Sequence, residues 1–140
     1  MQMARKKVYR AGVIPFLRED EDIQMLFMKP SDGKFGGNTF QIAKGRQEEG
    51  ENIEETALRE AKEELGLFIG NIVQLHNLGV FLGRTTVYIA EVKNKDMFGD
   101  PGSETGAVKW MTLEDFLKEG RDLHKPVVRA AHRNILKMYD

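Results

Sequence analysis

The sequence predicts one mixed α/β domain over residues 1–140, and three observations support this fold class. Segments with strand patterns alternate along the chain with two or three stretches of helical pattern. The chain of 140 residues is long enough to bury a single core. The polar segment 93–106 carries a turn signal, but the part of the chain after it is too short to fold alone, so we expect a loop inside one domain.

The strand patterns begin with a hairpin. Residues 9–17 and 23–28 are rich in apolar residues and flank a charged turn at 18–22, which predicts two paired strands. A Gly-rich loop over residues 30–38 is expected next. The other segments that we expect to form strands are 39–42, 72–81, 86–92 and 108–111.

The clearest helix is predicted over residues 53–65. Asn52 is a good N-cap, Glu55 completes a capping box, and Gly66 is a typical C-terminal stop. One face carries an apolar stripe with a spacing of four, formed by Ile53, Ala57, Ala61 and Leu65. Two further helices are expected at 113–118, after the cap Thr112, and at 126–139, where Pro126 suits the first turn.

Three glutamates lie on one face of the helix at 53–65. Glu60, Glu63 and Glu64 have i, i+3 and i+4 spacing, so their carboxylates can converge. Like charges at this spacing cost a helix about 0.2–0.5 kcal/mol per pair, so we expect a counter-charge. Hard divalent cations are the natural one, since they prefer carboxylate and carbonyl oxygens.

The segment before this helix suits an anionic ligand. Gly45 and Gly50 allow the backbone to approach a ligand closely, and a helix N-terminus favours anions. Together with the glutamates, these features predict a site for a metal-bound pyrophosphate. The alternative is a solvated surface helix, because Arg59 can form i,i+4 ion pairs with Glu55 and Glu63.

The stretch from Gly45 to Leu67 resembles the signature of the Nudix hydrolases. It reads G-x5-E-x7-R-E-U-x-E-E-x-G-U, with Ala61 and Leu67 at the aliphatic positions U. If residue usage is treated as independent, a chance match at one register has a probability of about 10⁻⁷, which argues against the solvated-helix alternative. The resemblance implies a three-layer α/β/α sandwich with a mixed sheet. It also implies a hydrolase that cleaves the pyrophosphate linkage of a nucleoside diphosphate joined to another moiety, with Mg²⁺ or Mn²⁺ as cofactor.

The resemblance also implies roles for the signature residues. The glutamates Glu60, Glu63 and Glu64 match the metal ligands of the family. The carbonyl of Gly45 matches a further ligand, and Glu51 with Arg59 matches a supporting pair that orients the glutamates. The general base varies within the family: it is Glu60, Glu63 or a carboxylate outside the signature, and we favour Glu60.

Residues outside the signature supply further candidates. Family members often recruit one more acidic residue to the metals, and we expect Glu104 here, with Asp100 and Glu91 as competitors. Lys44 precedes Gly45 and is a candidate phosphate contact, against the alternative of a solvated lysine. The other phosphate candidates, each also explicable as a surface charge, are Arg10, Lys29 and Arg84. The candidates for stacking on a base, each also explicable as core, are Phe35, Phe40 and Phe81.

Composition excludes several classes of protein. The net charge of −1 argues against non-specific nucleic-acid binding, and the lack of cysteine excludes disulfide scaffolds and Cys-based zinc sites. No apolar run approaches the ~20 residues of a membrane span, and residues 1–7 lack the apolar core of a secretory signal. We therefore expect a cytoplasmic protein, with a homodimer expected only by analogy with the family.

The substrate is less well determined than the chemistry. Leu82 and Gly83 occupy the region where ADP-ribose hydrolases of the family carry a proline. Our order of expectation is dinucleoside polyphosphates, then ADP-ribose-like nucleotides, then nucleoside triphosphates or capped RNA ends. A nucleotide-binding module without catalysis is an alternative, although the signature is intact. An isomerase of isoprenoid diphosphates is opposed by the lack of cysteine.

Overall fold

The computed structural model describes residues 7–32 and 38–139, which form six strands, three α-helices and two short 3₁₀ turns. The strands are β1 (Arg10–Glu19), β2 (Asp22–Pro30), β3 (Ala43–Arg46), β4 (Ile72–Phe81), β5 (Thr85–Val92) and β6 (Thr105–Met111). The helices are α1 (Ile53–Leu65), α2 (Leu113–Glu119) and α3 (Lys125–Met138). The 3₁₀ turns at Ile69–Asn71 and Asp122–His124 precede β4 and α3.

The strands form one mixed sheet in the order β4-β5-β1-β2-β6, with β3 also paired to β1. The central strand β1 is parallel to β5 and antiparallel to β2 and β3. Its second half pairs with β2, where Phe16 faces Met25, whereas its first half pairs with β3, where Arg10 faces Arg46. Strand β3 therefore brings the start of the signature against the first residues of β1.

Helices cover both faces of the sheet. On one face, Ala57 and Ala61 of α1 pack fully buried in a cluster with Val13 of β1. On the other face, the neighbouring Ile14 joins the larger cluster that includes Val128 of α3. This alternation along β1 is what a strand buried on both faces requires. The predicted three-layer α/β/α sandwich with a mixed sheet is confirmed.

Helix α1 has the bounds that the sequence predicted. The N–H of Glu55 donates to Asn52 Oδ1 at 2.8 Å, and the N–H of Asn52 donates to Glu55 Oε1 at 3.0 Å, which completes the capping box. At the other end, Gly66 adopts a left-handed conformation with φ +74°, and its N–H donates to the Lys62 carbonyl at 3.0 Å. Local signals alone therefore set both ends of this helix.

The prediction for the third strand was wrong. Strand β3 lies at Ala43–Arg46 rather than at 39–42, where Phe40 and Gln41 make only isolated bridges. The apolar segment has the higher strand propensity, but pairing with β1 decides the location. That pairing is close: a Cβ at Gly12 would overlap the carbonyl of Ala43. A contact between distant parts of the chain therefore overrides local preference.

His124 connects the segment between α2 and α3 to Ile42, the residue before β3. Its side chain is fully buried, and Nδ1 accepts a hydrogen bond of 3.1 Å from the N–H of Ile42. Burial, followed by the charges of Lys44 and Arg121, lowers the pKa of His124 to about 3. No pattern in the sequence distinguishes this histidine from His76 and His132.

We expect His124 to make the fold sensitive to mild acid. Its pKa is lower in the folded protein than the usual histidine value of 6.5, so its contribution to stability is present above pH 6.5 and falls below it. At pH 5 the loss should be about 2 kcal/mol, from 1.36 kcal/mol per pH unit below the unfolded pKa. Urea unfolding at pH 7 and pH 5 measures it, with His124→Asn as the variant that keeps an acceptor but does not titrate.

Comparing the wild type with His124→Asn separates the pH dependence caused by this histidine from that of the other titrating groups. Glu64, whose pKa is raised, gains stability as the pH falls over the same interval, but it is common to both proteins. The wild type should therefore lose more stability than His124→Asn between pH 7 and pH 5. Equal pH dependence in the two proteins would contradict the assignment.

Candidate active site

A cavity of about 700 Å³ opens where α1, the β1–β3 pair and the α2–α3 connection meet. Its polar lining is divided between acidic and basic side chains, together with backbone from Gly45. The acidic lining residues are Asp32, Glu60, Glu64 and Glu104, and the basic ones are Arg10, Lys44, Arg46 and Arg121. The volume is that of an ordinary small-molecule site. The cavity therefore has room for a nucleotide-sized anion beside several carboxylates.

The carboxylates of Glu60 and Glu64 lie side by side in this cavity. Burial, followed by the hydrogen bond and charge of Glu60, raises the pKa of Glu64 well above its usual range. Glu60 also lies directly against Gly45, because a Cβ at that glycine would overlap its carboxylate. Two carboxylates and a glycine backbone therefore converge, and their closeness disfavours the ionised form of Glu64.

An ion pair between Arg59 of α1 and Glu51 of the preceding loop connects this loop to the helix. The Nε of Arg59 donates to Glu51 Oε2 at 2.6 Å, and Nη2 donates to Oε1 at 3.1 Å. Glu51 also accepts hydrogen bonds from the N–H of Glu48 and the hydroxyl of Thr56, both at 2.9 Å. The hydrogen bond from Arg59 is the main reason that the pKa of Glu51 is lowered to about 2. The loop conformation is thus set by a two-point ion pair.

The same guanidinium reaches the glutamates of α1. Nη1 of Arg59 contacts Glu60 Oε1 at 2.7 Å and Glu63 Oε2 at 3.3 Å, and Nη2 donates to the carbonyl of Arg46 at 2.9 Å. The hydrogen bond to Glu51 is the main reason that the pKa of Arg59 is raised. Burial opposes this shift, and the hydrogen bond to Glu60 adds to it. Arg59 therefore positions Glu60 relative to β3.

Unlike Glu60 and Glu64, Glu63 does not line the cavity. Its side chain is 57% exposed and pairs with Arg59 outside the cavity. Over residues 7–32 and 38–139, no group of three or more acidic or histidine side chains is arranged to hold a metal ion. The structure thus brings together Glu60, Glu64 and Gly45 of the predicted ligands, while Glu63 would have to leave Arg59 to join them.

The donor set fits a hard divalent cation. Carboxylate oxygens from Glu60 and Glu64 and the carbonyl of Gly45 are the ligand types that Mg²⁺ and Mn²⁺ prefer. The closeness of the two carboxylates supplies the physical reason, because a bound cation would offset the repulsion that disfavours ionised Glu64. These three groups would hold the metal, and Glu104 lines the same cavity as a further oxygen donor.

The candidate residues outside the signature differ in whether they line the cavity. Glu104 lines the cavity, whereas Asp100 and Glu91 do not. Lys44 also lines it, and burial, followed by the charges of Arg10 and Arg121, lowers its pKa. Of the other phosphate candidates, Arg10 lines the cavity, whereas Lys29 and Arg84 do not. The Nζ of Lys29 lies 4.6 Å from the ring centre of Phe40. Phe40 and Phe81 pack in the core cluster, and Phe35 is outside the described residues.

Arg121 is a cavity residue that the sequence did not reveal. It follows Gly120 in the α2–α3 connection, and its N–H donates to the Phe40 carbonyl at 2.8 Å. This hydrogen bond ties the connection to the segment before β3 and brings the guanidinium to the cavity. No motif marks such a residue, because its location depends on a contact between segments about eighty residues apart in the sequence.

We expect Arg59→Lys to weaken metal binding without removing a ligand. Lysine keeps the charge but cannot contact Glu51, Glu60 and the Arg46 carbonyl together. Loss of such a supporting contact typically lowers metal affinity by about 10–100-fold. Calorimetric titration of the purified protein with Mn²⁺, without substrate, measures the change. Arg133→Lys on the exposed face of α3 is the matched control, and equal affinities in the two variants would contradict the role of Arg59.

The family comparison agrees with this geometry. A model of the NUDIX domain matches residues 6–131. The chain belongs to the Nudix family. The resemblance drawn from the signature is therefore confirmed.

Several known proteins are similar to this chain along most of its length. The rat bis(5'-nucleosyl)-tetraphosphatase [asymmetrical] is 30% identical over 116 residues, which cover 77% of this chain and 76% of the rat protein. Nudix hydrolase 6 of Arabidopsis thaliana is 29% identical over 142 residues, which cover 92% of this chain and 48% of that protein. The chain thus spans about half the length of the Arabidopsis relative.

Two solved structures share the Nudix fold. A Caenorhabditis elegans Ap4A hydrolase binary complex aligns with a TM-score of 0.75 at 18% identity, covering 94% of this chain and 99% of that one. The NUDIX domain of Shewanella oneidensis NrtR, complexed with ADP ribose, aligns with a TM-score of 0.77 at 16% identity, covering 94% and 90%. At these identities the likeness shows the fold alone.

The α-helices of the described residues are short, with 14 residues at most. Within the part of the chain that the structure describes, none is both long and apolar enough to cross a bilayer. The cytoplasmic location and the homodimer stay predictions.

Proposed function

We propose that this Nudix protein is a metal-dependent pyrophosphohydrolase that cleaves dinucleoside polyphosphates. The observation that carries the proposal is the buried pair of Glu60 and Glu64 against Gly45, inside a cavity of nucleotide size. The substrate class is supported by the similarity to the rat tetraphosphatase along three quarters of both chains. ADP-ribose-like nucleotides and nucleoside triphosphates are the alternative substrates.

The proposed roles follow from where the side chains lie. Glu60, Glu64 and the Gly45 carbonyl would hold Mg²⁺ or Mn²⁺, which would supply positive charge to the diphosphate and make its phosphorus more susceptible to attack by water. Glu60, whose side chain is 13% exposed and lines the cavity, is proposed as the general base. Arg59 holds Glu60 in place, and Lys44 contacts phosphate oxygens as a point charge. The protein contributes positioning and electrostatic stabilisation rather than covalent chemistry.

The direct test is a product-resolved screen of nucleotides in ¹⁸O-labelled water with Mg²⁺ or Mn²⁺. The substrates are a dinucleoside tetraphosphate, ADP-ribose, nucleoside triphosphates and capped RNA ends. We expect metal-dependent cleavage of the tetraphosphate, with one ¹⁸O in the product that carries the attacked phosphorus. A chelator should abolish the reaction. Equilibrium binding of these nucleotides with no product over hours in Mg²⁺ would instead indicate a non-catalytic binding module.

A further inference from the structure

The C-terminal end of α1 is bound by the segment that leads into β6. The last carbonyl groups of an α-helix have no partners inside the helix, and here donors come from outside it. The N–H of Gly102 donates to the Glu63 carbonyl at 2.6 Å, and the hydroxyl of Thr105 donates to the Glu64 carbonyl at 2.8 Å. Thr105 thus holds the backbone of a signature glutamate that lies 41 residues earlier in the chain.

Thr105 is itself held in place by the sheet. It is the first residue of β6, where it faces Pro30 of β2. Its N–H donates to the Gly102 carbonyl at 3.1 Å, and it directly follows Glu104, which lines the cavity. The hydroxyl that reaches α1 therefore projects from a strand whose location is fixed by pairing.

Glu64 lies where an α-helix is least stable. It is the penultimate residue of α1, and helix ends fray. Metal binding requires ionised carboxylates, and like charges four residues apart, as on Glu60 and Glu64, destabilise a helix. Opening of the last turn would relieve this repulsion by moving Glu64 away from Glu60. The hydrogen bond from Thr105 opposes that movement because it fixes the carbonyl of Glu64.

We propose that Thr105 is a positioning residue of the metal site: its hydroxyl holds the last turn of α1 closed, so that Glu64 stays beside Glu60. This inference rests on the metal site of the proposed function and deepens it. Thr105 lies outside the signature, and it acts on the backbone of Glu64 rather than on the carboxylate. A site must hold its ligands in a narrow geometry, so a carboxylate that moves with a fraying turn binds a cation less tightly.

The variants that test this role differ in the hydroxyl group. Thr105→Val and Thr105→Ala cannot donate, whereas Thr105→Ser keeps the donor. All three should fold, because Leu65 of the same turn packs buried in a cluster with Leu26, and thermal unfolding checks this. Thr112→Ala is the matched control, since it removes the hydroxyl that accepts from the N–H of Asp115 at 3.2 Å at the start of α2.

The first measurement is calorimetric titration of each purified protein with Mn²⁺, without substrate. Thr105→Val and Thr105→Ala should lose about 10-fold in affinity, the lower end of the range for a contact that supports a metal ligand. Thr105→Ser should recover most of this loss, and Thr112→Ala should stay within about 2-fold of the wild type, as for an independent site. Equal affinities in Thr105→Val and Thr112→Ala, or no recovery with serine, would overturn the inference.

A double-mutant cycle tests whether Thr105 acts through its neighbour Glu104 instead. Glu104→Gln removes that carboxylate but leaves Glu60, Glu64 and the Gly45 carbonyl. Thr105→Val should therefore cost the same factor in Mn²⁺ affinity, about 10-fold, in the Glu104→Gln background as in the wild type. If the effect of Thr105→Val disappears in that background, the assignment to Glu64 is wrong.

Hydrogen exchange locates the opening of the helix without a metal. The N–H groups of Gly66 and Leu67 donate to carbonyls of α1 at 3.0 and 3.2 Å, so they report on its last turn. In chelating buffer, Thr105→Val should speed the exchange of both amides by about 5–10-fold, as expected for one lost hydrogen bond. The amide of Thr56 in the first turn should be unaffected. Unchanged exchange at Gly66 and Leu67 would contradict the proposed role.

Failure of this inference is distinguishable from failure of the proposed function. A wild type that binds Mn²⁺ but cleaves no nucleotide would refute the hydrolase, and loss of Mn²⁺ affinity in Thr105→Val would still support the positioning role. A wild-type hydrolase in which Thr105→Val binds Mn²⁺ as tightly as Thr112→Ala would refute the positioning role and leave the hydrolase intact. A wild type that binds no Mn²⁺ would overturn both.

Discussion

Glu64→Gln is expected to lower kcat by about 10³-fold, since a metal contributes several kcal/mol to such a reaction and each 1.36 kcal/mol is a factor of ten. Glutamine keeps the shape of the side chain but is a far weaker ligand for a divalent cation than a carboxylate. Glu64 is also the carboxylate whose ionised form is disfavoured by burial and by Glu60. The loss should appear in kcat measured at saturating Mg²⁺ and substrate.

The stability of Glu64→Gln provides an independent check. The pKa of Glu64 is raised in the folded protein, so ionisation near neutral pH opposes folding when no cation is present. In chelating buffer the variant should therefore unfold at the same temperature as the wild type or above it. In Mg²⁺ the wild type should gain stability and the variant should gain little.

Glu54→Gln is the matched control for this experiment, because Glu54 is an exposed glutamate of the same helix that does not line the cavity. Its turnover and its response to Mg²⁺ should equal those of the wild type. If folded Glu64→Gln keeps its turnover, the assignment of the carboxylate pair as the metal site is wrong.

Gly66→Ala is expected to produce the largest loss of stability, about 3 kcal/mol. Gly66 has φ +74°, where an L-residue with a side chain costs about 1–2 kcal/mol. A Cβ would also overlap the carbonyl group of Gly99, whose N–H donates to the Gly66 carbonyl at 2.8 Å. Forced displacement in a packed region costs about 1–3 kcal/mol more. Urea unfolding monitored by the fluorescence of Trp110 measures the loss.

Gly83→Ala separates the two contributions. Gly83 has a similar φ of +87°, but a Cβ added there would meet nothing within 4 Å. This variant should lose only the conformational part, about 1 kcal/mol. Equal losses at the two glycines would show that the contact between Gly66 and Gly99 has no steric consequence for stability.

Much of the candidate site was predictable because its signals are local. The capping box, the spacing of Glu60, Glu63 and Glu64, and the C-terminal glycine all lie within one helix and its flanks, so helix geometry alone determines which side chains share a face. The family match over residues 6–131 confirms the family that this pattern indicates. The wrong bounds of β3 show the limit of the approach, since pairing of Lys44 and Gly45 with β1 outweighed the propensity of the apolar segment before them.

Local signals in the sequence are sufficient to define the helix that carries the glutamates, the fold class and the Nudix signature. Long-range packing decides which glutamates face the cavity: Glu60 and Glu64 do, while Arg59 holds Glu63 at the surface. Long-range packing also brings Arg10 and Arg121, which are far apart along the chain, to the lining of a common pocket. The physical reason is that a helix fixes neighbours three and four residues apart, whereas contacts between segments depend on how the whole sheet and its two helical layers pack.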